Sequence, residues 1–186
     1  MAIFEKPDLK KLKDEHKYAR LIDWANYTKD PATSRQAREI LASDPYRLTE
    51  YLYETAEWTR KNSGHSGRRL PHRGIALLKQ VTTMMASVGA PIVTPVCDSI
   101  RAYDKYGDPD IKTKLLYYSL AFDVLEHIGG NAREGLEKLA REKDADIKKL
   151  ARAALENLPE DLDEWDDDDD EDDDEEYEDD DEDEDV

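Results

Sequence analysis

DPDIKTKLLYYSLAFDVLEHI, residues 108–128, carries the reading of the fold. Its apolar residues Ile111, Leu115, Tyr118, Phe122 and Leu125 recur at spacings of four and three, which is one face of a helix. Leu116, Ala121, Val124 and Ile128 widen that face, as a mostly buried helix requires. The same spacing recurs outward in both directions. Leu136, Leu139 and Ala140 predict a short amphipathic helix, and Ile147, Leu150, Ala151, Ala154, Leu155 and Leu158 predict another. Upstream, Val93, Val96, Ile100 and Tyr103 mark one helix, and Leu48, Tyr51, Leu52, Thr55 and Trp58 mark one more. A first helix carries Leu9, Leu12, Ala19 and Ile22. No segment alternates with period two as a half-buried strand does. The β-branched VGAPIVTPV, residues 88–96, holds Pro91 and Pro95, a poor central strand, and reads as a loop running into a first helical turn that tolerates proline.

The breaks between helices are periodic as well. Pro31, Pro71 and Pro109 stand 40 and 38 residues apart, and Ala145 takes the corresponding place 36 further on. Asp30, Asp108 and Asp144 precede three of the four marks. Aspartate followed by proline suits a helix start: the side chain caps, and the missing N–H costs nothing at the first position. Each mark opens the second helix of a pair, giving pairs over 8–42, 45–87, 90–128 and 131–158. A period near 40 built of two helices indicates a helical solenoid.

These residues resemble HEAT repeats, whose second helix typically opens Asp-Pro-x-Val-Arg followed by small residues. Asp108-Pro109-Asp110-Ile111-Lys112 and Asp144-Ala145-Asp146-Ile147-Lys148 are similar to it, the latter followed by the small Ala151 and Ala154. KDPATSRQAREIL, residues 29–41, is similar with Arg35 one place late. The second repeat departs most, with Leu70 in place of the aspartate and a long SGHSGRR loop before it. The resemblance implies an all-α chain, an α-solenoid of about four HEAT-like helical pairs over residues 1–158. It also implies a curved scaffold of the kind that mostly binds proteins or nucleic acids, though fold alone does not fix function.

Charge divides the chain sharply. Pro159 to Val186 holds 23 of the 46 acids and none of the 27 bases, so the first 158 residues carry 23 acids against 27 bases. Between Glu57 and Asp98 there is no carboxylate, while Arg60, Lys61, Arg68, Arg69, Arg73 and Lys79 fall inside that window. Gly64 and Gly67 leave backbone N–H groups open to an anion, His65 and His72 add charge when protonated, and the loop leads into a helix N-terminus. The six cations are therefore the candidate anion- or nucleic-acid-binding residues, with planar arginine donors suited to phosphate or carboxylate.

Residues 159–186 form a low-complexity polyacidic tail, expected to be disordered because it repels itself and has little apolar surface to bury. Stretched at ~3.3 Å per residue, about 25 of these residues reach roughly 80 Å, far enough to meet the basic loop. Trp165 and Tyr177 are the tail's candidate partner-binding residues; Trp165 also suits a cap beside Leu158 and Leu162.

Catalytic and metal motifs are weak. Gly64-His65-Ser66-Gly67-Arg68 lacks the last glycine of G-x-S-x-G. Cys97 reads as a small core residue and excludes a disulfide framework. His16, His65, His72 and His127 form no metal-binding pair, so no cofactor or metal is expected. Tyr51, Tyr53, Trp58, Tyr117 and Tyr118 read as core and groove lining. An enzyme of the DNA-glycosylase kind on HEAT-like repeats would need a buried carboxylate, for which Asp98 and Asp123 are the candidates. No apolar run is long enough to span a membrane and the N-terminus has no secretion-signal pattern, so a cytoplasmic protein is expected. The function expected is a non-enzymatic adaptor or chaperone-like binder of protein partners, its tail favouring basic ones. The alternative is nucleic-acid binding through the second-repeat loop, autoinhibited by the tail.

Overall fold

Aspartate caps punctuate the chain as the sequence requires. The computed structural model describes residues 7–63, 70–103 and 110–159, and among them every regular element is helical. These are α1 (Leu9–Asp14), α2 (Tyr18–Ala25), α3 (Pro31–Ala42), α4 (Pro45–Lys61), α5 (His72–Val88), α6 (Ala90–Arg101), α7 (Ile111–Ile128), α8 (Arg133–Leu139) and α9 (Ala145–Asn157). A 3-10 turn, Gly129–Ala132, joins α7 to α8. Asp30 accepts from the Thr33 N–H at 3.1 Å and the Thr33 hydroxyl at 2.7 Å, with Pro31 in the first turn. Asp144 accepts from the Asp146 and Ile147 N–H groups at 2.8 and 3.1 Å. Asp44 and Pro45 open α4 in the same way. The aspartate–proline signal therefore marks first helices of pairs as well as second ones.

Four expectations change. The first helix is two, α1 and α2, because His16 takes φ 54°. The His16 N–H bonds the Lys13 carbonyl and the Lys17 N–H reaches back to the Leu12 carbonyl, a Schellman ending with histidine where glycine is usual. Of the loop and first helical turn expected over residues 88–96, the loop shrinks to one residue: Gly89, at φ 73°, alone separates α5 from α6, and Pro95 lies inside α6. The cap of α7 is Asp110, accepting from Lys112 and Thr113 at 2.7 and 2.9 Å, rather than Asp108, which lies outside the described residues. Two similar pentapeptides are thus used two residues out of register. Finally, Ile111 and Leu115 are 60% and 50% exposed. Thr113 is buried in their place, on the side that Tyr117 and Ala121 also occupy, and the Tyr117 hydroxyl shares a hydrogen bond with Ser99 inside the core.

Consecutive helices pack in pairs, α2 on α3, α4 on α5, α6 on α7 and α8 on α9. The pairs also lean on each other, α4 against α6 and α6 against α8 on one side, α5 against α7 and α7 against α9 on the other. Leu21, Ile22, Leu41, Leu48, Leu52, Met85, Ile92, Ile100 and Leu125 run through one continuous core. Two glycines permit close approach. A Cβ on Gly74 of α5 would meet the Thr59 side chain of α4 at 2.6 Å, and one on Gly135 of α8 would meet Cys97 Sγ and Val93 of α6 at 2.9 Å. Midway along the chain, Tyr53, Tyr103, Tyr117 and Tyr118 form an aromatic cluster with centroids 5.3 to 6.2 Å apart.

Candidate binding cleft and basic faces

The close approach at Gly74 fixes how α5 lies on α4, and so which side chains meet outside the contact. Tyr51, Thr55 and Trp58 recur at spacings of four and three on α4, and Arg73 and Leu77 at four on α5. With Glu54 they line an open cleft of about 500 Å3. Trp58 is 44% exposed, unusual for so large an apolar side chain, and Tyr51 is half-buried. The cleft's charges are largely balanced. Arg47 donates to Glu54 at 2.8 Å and to Glu50 at 2.8 Å, and lies 5.5 Å over the Tyr18 ring, which stacks on Tyr51. Glu54 thus brings a carboxylate within the same cleft as Arg73. The surface is amphipathic rather than uniformly basic.

Of the six candidate cations, four lie among the described residues, in different surroundings. Arg73 lines the cleft and is exposed. Lys79 is exposed six residues further along α5, about 120° round the helix axis, away from the cleft. Lys61 is exposed at the end of α4 and paired with Glu57 at 2.8 Å; that hydrogen bond raises its pKa. Arg60 is half-buried, and its charge helps lower the Asp110 pKa, after the larger effect of the Thr113 N–H on that carboxylate. Arg68 and Arg69, with Gly64, His65 and Gly67, lie outside the described residues, as do Trp165 and Tyr177. Tyr53, Tyr117 and Tyr118 belong to the core, leaving Tyr51 and Trp58 as groove lining.

A second basic surface escaped the sequence reading. Lys143, Lys148, Lys149 and Arg152 line a depression of about 450 Å3 on α9 with Ala145, Ala153 and Glu156. Counting charge by windows hides it, because Asp144 and Asp146 interrupt the bases in sequence. In space Asp144 turns aside to cap α9 and to meet Lys114 at 3.2 Å. The helical spacing of 145, 149, 152 and 156 was the readable signal.

Nothing in the described core resembles an acid–base pair. Asp98 is half-buried and Asp123 exposed, Asp98 accepting from the Tyr46 hydroxyl at 3.1 Å and Asp123 lying 3.4 Å from His127. Every buried polar residue described is a serine or threonine. Burial pushes the Cys97 thiol up to about 11, which keeps it protonated beside Gly135. Among the described residues no group of histidine, cysteine and acid side chains is placed to hold a metal, and no helix is long and apolar enough to cross a membrane. Compared with family models, curated proteins and solved structures, the chain matches none.

Proposed function

We propose that this chain is a non-enzymatic cytoplasmic interaction protein, an adaptor or chaperone-like binder that offers the α4–α5 cleft and an acidic tail to protein partners. The observation that carries the reading is the cleft: an exposed tryptophan, a tyrosine and an arginine converge there, beside Leu77 and a charge-balanced Glu54. Tryptophan, tyrosine and arginine are the residues that concentrate binding energy at protein interfaces. The stacking of pairs, α4 on α6 on α8 and α5 on α7 on α9, supports a HEAT-like solenoid as the scaffold beneath it. The tail's 23 acids favour basic partners.

Nucleic-acid binding is the second reading, favoured by Arg73 standing beside Trp58, an arginine next to a stacking surface. Glu54 in the same cleft opposes it, since a carboxylate repels phosphate. Comparing the proteins captured by the full chain, by Trp58→Ala/Arg73→Glu and by the chain ended after Pro159 separates the readings. Loss of distinct partners in each variant, with no retention of single- or double-stranded oligonucleotides at low salt, is expected. Partner capture indifferent to both changes overturns the adaptor reading, and oligonucleotide binding lost with Arg73→Glu replaces it with the second.

A further inference from the structure

The outer face of α9 carries cations that the described structure leaves unused. At 100° per residue, Ala145, Lys149, Arg152 and Glu156 form one stripe, with Lys148 and Ala153 on its flanks. Ile147, Ala151 and Ala154 occupy the opposite, buried side, against α7 and α8. Among the described residues Lys143, Lys148, Lys149 and Arg152 have no hydrogen-bond or ion-pair partner, whereas Lys114, Arg101 and Lys138 are each paired with a carboxylate nearby. A terminal helix needs a polar outer face to stay soluble, and mixed charges supply one. Here four cations meet one carboxylate, Glu156. Lys148 and Lys149 stand four and three residues before Arg152, positions at which like charges repel. Such a face is suited to a polyanion.

The chain itself supplies one next to it. Leu158 leaves α9 in an extended conformation, φ −65° and ψ 140°, and Arg133 donates to the Pro159 carbonyl at 3.4 Å. The tail therefore starts one end of α9 away from Lys143 at the other. The 13 residues of α9 span about 20 Å, a distance an extended chain covers in about six residues. Residues 160–170 contain nine acids, interrupted only by Leu162 and Trp165. We propose that residues 160–170 run back along the outer face of α9, their carboxylates on Arg152, Lys149, Lys148 and Lys143. Leu162 then falls opposite Ala153 and Trp165 opposite Ala145, the two small residues that floor the depression. The short tether gives this contact an effective concentration of order millimolar or more. The second-repeat cations compete poorly, being farther along the chain and, for Lys61, already paired.

The consequence deepens the proposed function, on which it rests only in treating the tail as a partner-binding segment. A basic partner must displace the α9 cations from the proximal tail, while residues 171–186 stay available to make first contact. Intramolecular occupancy thus sets a threshold of partner basicity.

Backbone amide shifts of the full chain, and of the chain ended after Pro159, test the docking directly. Removal of the tail should move the amides of residues 143–156, and raising salt to roughly 0.5 M should produce the same change in the full chain by screening. Lys149→Glu/Arg152→Glu should reproduce it, and Lys149→Arg/Arg152→Lys should not. With Trp24→Phe and Trp58→Phe leaving Trp165 as the reporter, its emission should shift red on the same charge reversal. A short polylysine peptide should bind the charge-reversed full chain about fivefold more tightly than the unaltered one, because its competitor is gone. Amides of α9 that ignore tail removal overturn the inference, as does a perturbation that maps to residues 60–79 instead. Polylysine that binds the full chain no better than the shortened one overturns the tail's role in the proposed function, and leaves the amide shifts to decide docking alone.

Discussion

The α4–α5 cleft and the outer face of α9 are both open, and both contain arginine, yet they are built oppositely. In the cleft Glu54 is paired with Arg47, which lies outside the lining and also meets Glu50 and the Tyr18 ring, and Arg73 stands in the same cleft beside Tyr51 and Trp58. On α9 the cations have no partner among the described residues and stand over alanine. Paired charge beside aromatic surface gives contacts that depend on shape and tolerate salt. Unpaired charge over small residues gives contacts that depend on charge density and fade as the Debye length shortens. On the proposed reading, one molecule thus carries a shape-selective surface on α4 and α5 and an electrostatic one on α9.

The change with the largest effect tests whether the two surfaces share one folding unit. Leu125 is fully buried in α7, which packs on α4 and α5 on one side and on α9 on the other. Leu125→Ala should therefore cost about 2–5 kcal/mol. Urea unfolding followed by amide exchange in α4 and in α9 should show both helices losing protection in one transition. Two separate transitions would make the cleft and the α9 face independent modules and break the comparison at its root.

How much of this was legible differs between the surfaces. The helices followed from three-and-four spacing, and Asp30 and Asp144 announced their starts, because a cap is a local interaction within four residues. The break at His16 did not follow, since a non-glycine residue at positive φ has no composition signal. The burial of Thr113 was hidden because a hydroxyl side chain looks solvent-seeking, whereas Tyr117 read as core or groove lining from its ring, and only its hydroxyl's partner, Ser99, needed the tertiary structure. Arg73 and Trp58 were both singled out, but their meeting depends on how closely α5 approaches α4 at Gly74, a tertiary property. The α9 cations were hidden by Asp144, whose carboxylate points to its own helix start and to Lys114 rather than outward.

Asp144 makes the next comparison chemical. Burial pushes its pKa upward, but the Ile147 N–H, the Lys114 ammonium and the Asp146 N–H together hold it below the ordinary value of 3.8. A carboxylate with a lowered folded pKa adds stability that is present above its unfolded pKa and is lost as pH falls through the folded one. The α5 start, by contrast, is Pro71, with no side-chain cap at all. Asp144→Ala should cost about 1 kcal/mol at neutral pH. As pH falls through the lowered folded-state pKa that cost should shrink, because the unaltered carboxyl becomes protonated. Denaturant midpoints of the two proteins across pH check this; a difference that stays constant into acid would show that Asp144 acts through packing rather than charge. Asp144→Asn should keep most of the cap and lose the pH dependence.

The smallest change sharpens the contrast most, because it makes one surface imitate the other. Glu57 holds Lys61 at 2.8 Å across one exposed helical turn at the end of α4. Exposed pairs of this spacing contribute little to stability, so Glu57→Gln should leave the melting temperature nearly unchanged. It does release an ammonium group and extends the carboxylate-free window of the sequence from Asp98 back to Glu54. If the cleft recognises protein side chains through Trp58 and Tyr51, partner binding should be insensitive to this added positive charge, and duplex DNA should still be ignored at low salt. If instead the α4–α5 end is an anion surface held back by its own pairing, the variant should gain oligonucleotide affinity, with log K falling against log salt by about 0.9 for each phosphate newly contacted on duplex DNA. Lys149→Glu/Arg152→Glu is the matched control on α9. It removes unpaired charge from the other surface and should leave oligonucleotide retention at the α4–α5 end where Glu57→Gln put it. A gain that required both changes would tie the two surfaces together through the tail, whereas a gain from Glu57→Gln alone would transfer the function to nucleic acid.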